Sequence, residues 1–308
     1  MSSSLSVHGK FAIVTGAGSG INLAFAKLLL QRGCSVAIGD LALRPEAEEL
    51  LSKYPHTEGG PGPSAIFHPT DVTSWPALSS LFEKGLSSFG RIDIIVPGAG
   101  VFEPHFSAFW NPPKTATNPD STSIDSAYAT PGSYKSLEIN LTHPIRLSQL
   151  GIGYWTKNKL PGTLVHLSSI AGHAAGIPAP LYFTSKHGLH GFVRSLGMLR
   201  DTVGIRISAV APGTVNTPIW TEAVDKKHLV QDGRGLEIEP ETVAEAMLEL
   251  CENPEYGDGT ILEVMNDHKR VVPLYHADPP PPKAADMPAL VTITVELVER
   301  LKTKGLDV

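Results

Sequence analysis

Residues 10–40 read KFAIVT, GAGSGIN, LAFAKLLLQRGC, SVAIGD, and their order decides the fold. KFAIVT (10–15) is a short, apolar, β-branched run, the pattern of a buried strand. GAGSGIN (16–22) is a glycine-rich turn, and LAFAKLLLQRG (23–33) has the periodicity of an amphipathic helix that stops at Gly33. SVAIGD (35–40) is a second strand ending in Asp40. Strand, glycine turn and helix together form a phosphate cradle. Glycine lets the backbone turn tightly, and a pyrophosphate can then approach the free N–H groups and positive dipole of the helix start. Asp40 lies 24 residues past Gly16. A carboxylate there accepts hydrogen bonds from both ribose hydroxyls of adenosine and repels a 2′-phosphate. The stretch predicts a dinucleotide site that prefers NAD to NADP. Arg44 is the counter-signal, and it reads more simply as a solvated residue at a helix start.

The same alternation continues outward. Strand-like runs recur at AIFHPTDVT (65–73), RIDIIVPGAG (91–100), TLVHLSS (163–169), GIRISAVAPG (204–213) and GTILEVM (259–265). Helical periodicity fills residues 76–89, 137–155, 182–200 and 240–253. Strands alternating with helices predict an α/β fold with a parallel sheet. Asp71 sits at the mouth of the third strand, where it can meet an adenine amino group or cap the next helix. Gly98, Ala99 and Gly100 form an edge where a ring can lie close to backbone. Pro212 and Gly213 end the sixth strand, and Thr214 and Thr217 beyond them can hold a carboxamide.

Composition excludes several classes of function. The chain has 308 residues, 42% hydrophobic and 18% charged, with a formal net charge of -6 and no Lys/Arg-rich run. Nothing in it points to nucleic acid or to an anionic membrane surface. No apolar stretch is long enough to span a bilayer. Cys34 and Cys251 lie in apolar periodic segments and read as buried free thiols, and no metal-ligand spacing occurs. The N-terminus MSSSLSVHGK lacks a signal-type apolar core, so a cytoplasmic location is expected.

Three segments break the alternation. Residues 101–136 contain prolines at 104, 112, 113, 119 and 131 and little periodicity. A loop this long is either functional, here a lid or subunit contact beside the substrate, or a tolerated surface insertion. Residues 214–239 read as a substrate-side loop. ADPPPPKAADMP (277–288) is a stiff linker leading to VTITVELVERLKTKG, read as a docked helix. The expected organisation is one catalytic domain over 1–265 and an extension over 266–308. Phe102, Phe106, Phe109, Trp110 and Trp220 lie in the variable segments. They fit either a bulky apolar substrate or packing within the loops.

The chemistry converges on SSIAGHAAGIPAPLYFTSK (168–186). Tyr182 and Lys186 are four apart and share one face of a helix. An ammonium near a phenol favours the phenolate, which makes a tyrosine an acid or base near neutral pH. Ser169 ends the strand before that helix. Such a Tyr–Lys pair also occurs by chance on many helices. Asn140 and Pro144 add a second signal, because proline has no N–H to give to the carbonyl four residues earlier. The freed Asn140 carbonyl can hold a water; a bare helix kink is the plainer alternative.

Taken in order, TGAGSGIN, Asn140, Ser-x12-Tyr-x3-Lys at 169, 182 and 186, and PG after the sixth strand resemble the classical short-chain dehydrogenase/reductase family over residues 8–265. The resemblance implies a doubly wound (Rossmann) α/β fold: a seven-stranded parallel sheet with helices on both faces, as a homodimer or homotetramer. It implies that Tyr182 is the acid/base, Ser169 binds the substrate oxygen, Lys186 lowers the Tyr182 pKa and binds the nicotinamide ribose, and Asn140 anchors a water. The matching cofactor set is Gly16, Ser19, Gly20, Ile21, Asp40, Leu41, Asp71, Val72, Gly98, Ala99, Gly100, Tyr182, Lys186, Pro212, Gly213, Val215 and Thr217. The function implied is NAD-dependent interconversion of a small-molecule secondary alcohol and ketone, such as a secondary metabolite, lipid or steroid-like alcohol. A non-catalytic dinucleotide-binding regulator and an epimerase or dehydratase are the alternatives. The NAD-type acid, insertion and tail most resemble fungal proteins similar to 15-hydroxyprostaglandin dehydrogenase. Two positions depart from the family pattern. Asn22 replaces its third glycine, and Pro97-Gly98-Ala99-Gly100 replaces Asn-Asn-Ala-Gly.

Overall fold

A computed structural model describes residues 5–221, 238–274 and 288–306. The first half runs β1 (Phe11–Thr15), α1 (Gly20–Gln31), β2 (Ser35–Asp40), α2 (Pro45–Lys53), β3 (Ala65–Pro69), α3 (Trp75–Phe89) and β4 (Ile94–Val96). The second half runs α4 (Lys135–Leu137), α5 (His143–Asn158), β5 (Gly162–Leu167), α6 (Pro180–Ser195), α7 (Leu199–Val203), β6 (Ile205–Pro212), α8 (Pro218–Thr221), α9 (Pro240–Glu252), β7 (Asp258–Val264), β8 (Lys269–Val271) and α10 (Pro288–Thr303).

The strands are ordered β3-β2-β1-β4-β5-β6-β7-β8. Pairing is parallel up to β7 and antiparallel at β8. The central strands read as continuous apolar runs because both of their faces are covered. All eight residues of β6 are buried. Alternate side chains enter opposite layers. Ala12 and Val14 face the layer that holds Phe25, Leu29, Met247 and Leu250. Ile13 faces the layer of Leu78, Leu81, Trp155 and Leu189. The strand order reverses between β1 and β4, and that switch point opens a crevice at the carboxyl edge of the sheet.

Several details differ from the expectation. The sheet has eight strands rather than seven. The extra one, β8, has the sequence KRV with every residue exposed, so it carries no apolar alternation to read. Only three residues of 91–100 pair as β4. The helix expected over 182–200 ends at Ser195. Gly197 then runs against the start of β7, where an added Cβ would lie 2.1 Å from the Asp258 carbonyl oxygen. The insertion 101–136 is folded against the body. Asp125 accepts from Ser107 Oγ at 2.8 Å and from the Lys135 N–H at 2.8 Å, and Ser107 Oγ accepts from the Ser136 N–H at 2.9 Å. The helical reading of the tail agrees with α10, near whose end Leu301 is buried and the Leu306 N–H reaches Thr156 Oγ1 at 3.0 Å. Residues 222–237 of the expected substrate loop and 275–287 of the proline-rich linker lie outside the described residues. Among the described residues no helix is long and apolar enough to cross a membrane. Both cysteines are free and buried, as expected.

Candidate active site

The turn after β1 is built for close approach. Gly16 has φ 72°, and a Cβ there would lie 2.6 Å from Ala99 Cα. Asp40 Oδ2 accepts from the Gly18 N–H at 2.8 Å, and Oδ1 accepts from the Leu41 N–H at 2.7 Å. These two bonds orient the carboxylate at the end of β2, facing the turn. The glycine turn and the aimed acid fit the pyrophosphate and ribose of a dinucleotide.

The two departures from the family pattern belong to one contact. A Cβ on Gly98 would lie 2.3 Å from Asn22 Oδ1 and 2.6 Å from Asn22 Cγ. The amide on α1 therefore occupies the space that a side chain at position 98 would need. The backbone of 98–99 is held from β1 instead. Thr15 Oγ1 accepts from the Gly98 N–H at 3.0 Å and contacts His143 Nε2 at 3.0 Å. His143 Nδ1 faces the Ile139 carbonyl oxygen at 3.1 Å, which assigns the ring proton to Nδ1. Burial pushes this histidine down to about 3, so it stays neutral. Neither Thr15 nor His143 stood out in the sequence, because a threonine ending a strand and a histidine starting a helix are ordinary there.

Ser169 follows β5 and starts the short turn Ile170–Gly172, its Oγ accepting from the Ala171 N–H at 3.2 Å. Its hydroxyl donates to the Pro212 carbonyl at 3.5 Å and lies beside the Tyr182 phenol. Ser168 is buried too, but its Oγ has no hydrogen-bond partner among the described residues. Tyr182 and Lys186 share one face of α6, with Lys186 Nζ 5.5 Å from the phenol ring centre. Lys186 donates to the Leu167 carbonyl at 2.8 Å. Burial pushes its ammonium down to about 8. The expected lowering of the Tyr182 pKa is not present here. Burial holds the phenol above its ordinary value, against the opposing effect of the Ser169 hydrogen bond.

Asn140 lies in a π turn, Glu138–Thr142, where the His143 N–H reaches back to the Glu138 carbonyl. The turn sits directly before Pro144, as the missing N–H requires. Both polar atoms of the Asn140 side chain are engaged by Val101, Oδ1 accepting from its N–H at 2.9 Å and Nδ2 donating to its carbonyl at 2.8 Å.

Every residue of the expected cofactor set, with Ser169, lines one cavity of about 730 Å³; Asn140 stands behind its wall. Phe102, Phe106 and Trp220 also line it, joined by Ile124, Ile139 and Phe183. Phe109 and Trp110 instead pack edge-on against each other, so for these two the loop-packing alternative holds. Asp71 lines the cavity but does not cap α3, because Ser74 does so by accepting from the Ala77 N–H at 3.3 Å. Burial raises the Asp71 pKa, but bonds from Thr73 and the charge of Lys135 outweigh it and hold the carboxyl below its usual range. Lys135 lines the cavity and contacts Thr73 Oγ1, and the buried Glu103 accepts from the N–H groups of Tyr182 at 2.9 Å and Phe109 at 2.8 Å. Lys135 and Glu103 lie at the ends of the aperiodic insertion, where spacing carries no signal.

A cradle at the switch point of a doubly wound sheet, facing a serine, tyrosine and lysine across one cavity, defines a dinucleotide-binding α/β protein of the oxidoreductase type. The short chain dehydrogenase family pattern matches residues 10–228, and the chain belongs to that family. It is 33% identical over 225 residues to human 15-hydroxyprostaglandin dehydrogenase [NAD(+)], covering 72% of this chain and 73% of that protein. It is 29% identical over 230 residues to a hydroxynaphthalene reductase-like protein of Metarhizium robertsii, covering 74% of this chain and 76% of that protein. A short-chain type dehydrogenase/reductase from Mycobacterium marinum shares the fold with a TM-score of 0.67 at 21% identity, covering 85% of this chain and 96% of that one.

Proposed function

We propose that this protein is an NAD-dependent enzyme interconverting a bulky, apolar secondary alcohol and its ketone. The observation that carries the reading is the shared cavity, which has Asp40 and the glycine turn in one part and Ser169, Tyr182 and Lys186 in another. The relationship to a dehydrogenase named for NAD supports the cofactor.

In this reading Ser169 and Tyr182 hydrogen-bond the substrate oxygen. Tyr182 takes the hydroxyl proton in oxidation and returns it in reduction. Ser169 stabilises the charge that builds on that oxygen. The nicotinamide ring, when bound, accepts or returns the hydride. Lys186 binds the nicotinamide ribose. Asn140 acts through its backbone carbonyl as a water anchor, since its amide is engaged by Val101. Asp40 would hold the adenosine ribose, Asp71 and Val72 would bind the adenine end, and Gly213, Val215 and Thr217 would bind the carboxamide end. Phe102, Phe106 and Trp220 form the apolar wall that selects a bulky substrate. The catalytic unit is residues 1–265, followed by an extension over 266–308, acting in the cytoplasm as a homodimer or homotetramer.

The test is a screen of secondary alcohols and ketones with NAD and NADP, following absorbance of the reduced cofactor. Bulky secondary alcohols are expected to be oxidised with NAD at least tenfold more efficiently than with NADP. Activity with NADP alone, or none across the screen, contradicts the reading.

A further inference from the structure

The helix that carries Tyr182 and Lys186 starts without a cap of its own. Its N-cap is Ala179, which makes no side-chain bond, and Pro180 follows in the first turn. The preceding GIPAP (176–180) contains no Ser, Thr, Asp or Asn to accept from a first-turn N–H. The acceptor comes from Glu103, 79 residues earlier in the chain: its Oε2 accepts from the Tyr182 N–H at 2.9 Å. Its Oε1 accepts from the Phe109 N–H at 2.8 Å. The side chain is buried, and the residue has φ 37°, in the left-handed region that a non-glycine residue rarely adopts. Strain of this kind persists only where surrounding contacts enforce it.

Here those contacts are with the site itself. Val101 exchanges two hydrogen bonds with the Asn140 amide. The Phe102 ring lies 4.6 Å from the Tyr182 ring, centre to centre. Glu103 holds the Tyr182 backbone. Three consecutive residues thus each touch Asn140 or Tyr182. The insertion has other anchors, so Glu103 is not needed merely to fasten it. Trp110 Nε1 donates to the Ile177 carbonyl at 2.7 Å, and Asp125 organises the buried network near α4.

We propose that Glu103 is a positioning residue for proton transfer, supplying from the insertion the cap that α6 lacks and fixing Tyr182 against Ser169. The inference rests on reading Tyr182 as the proton-transfer group. A carboxylate at the helix start also complements the helix dipole. The first turn of the catalytic helix is thereby tied to the loop that carries the Phe102 and Phe106 wall.

The test compares full-length wild type with Glu103→Gln, which keeps the shape but offers one oxygen acceptor for two N–H donors. Hydrogen exchange, read without substrate, is expected to quicken at the backbone of 181–184 and to stay unchanged at 190–195. Equal exchange at 181–184 overturns the proposal. With 1-(2-naphthyl)ethanol and NAD, kcat is expected to fall about tenfold, KM to stay within twofold, and the solvent deuterium isotope effect on kcat/KM to rise. An unchanged kcat, or a loss confined to KM, overturns it as well. NADH binding, followed by fluorescence, is expected to stay within twofold. Tyr182→Phe run alongside separates the two readings. Wild-type turnover in that variant defeats the base assignment, while exchange at 181–184 still reports whether Glu103 caps the helix.

Discussion

Asn22 and Gly98 show how one side chain sets the limits of another. With the amide of Asn22 only 2.3 Å from where a Cβ at position 98 would sit, Gly98→Asn alone cannot fit without displacing backbone or amide. Asn22→Gly alone leaves a void beside the cofactor turn. Each single change is expected to destabilise by about 1–3 kcal/mol. The double change Asn22→Gly/Gly98→Asn is expected to recover at least about 1 kcal/mol of the summed loss. Urea unfolding of the four proteins measures the coupling, and additive losses would show that the two positions are independent. Asp40 carries a second expectation at this scale. Its carboxylate is held by the N–H groups of Gly18 and Leu41 beside the glycine turn. Asp40→Ala is expected to raise KM for NAD and cut the preference for NAD over NADP at least tenfold, as read from initial rates with each cofactor. An unchanged preference would remove Asp40 from cofactor selection. Asp40 was legible in the sequence because a strand end fixes where its side chain projects. Glu103 was not, because its partner is 79 residues away and no local pattern encodes that contact.

At the scale of elements, β8 is held to the sheet by charge as well as by its ladder. Glu263 on β7 accepts from Arg270 Nε at 2.6 Å and meets His173 at 2.7 Å and His268 at 3.0 Å. The Arg270 bond leads in holding the Glu263 carboxyl down to about 2, against its burial and with help from the two histidines. A carboxyl depressed in the folded state contributes stability that is present above its unfolded pKa, near 4.5, and is lost as pH falls toward about 2. Glu263→Gln is therefore expected to lower stability at pH 7 and to flatten its pH dependence between about 4.5 and 2. Denaturant unfolding at a series of pH values checks this, and an unaltered slope would exclude Glu263 as a source of acid sensitivity. The same contacts explain why β8 is not legible in the sequence: KRV joins the sheet through its ladder and the Arg270–Glu263 pair, not through an apolar face. The seven parallel strands were legible because burial on both faces leaves continuous apolar runs between glycine and proline breaks. The break after Ser195 was invisible, since it depends on the backbone of β7 passing Gly197.

Across the whole molecule, strand order brings together residues that are far apart in the chain. The cradle after β1, the acid after β2, the edge after β4, the serine after β5 and the loop after β6 all open at the carboxyl edge of one sheet. Motif spacing makes most of this cavity legible in the sequence, because each motif sits at a fixed distance from a strand end. The insertion wall was not legible, since its form depends on buried contacts such as Ser107 with Asp125. The phenol pKa was not legible either. Spacing on α6 sets the Tyr182–Lys186 geometry but says nothing of the burial that raises the phenol. In the proposed reaction Tyr182 transfers the proton in a cavity whose other part holds the dinucleotide. The most direct test of that role is Tyr182→Phe, measured for NAD-linked oxidation of a secondary alcohol and for NADH binding. In that variant kcat/KM is expected to fall by about 100-fold or more while NADH affinity stays within about twofold. Turnover at the wild-type rate in that variant would contradict it.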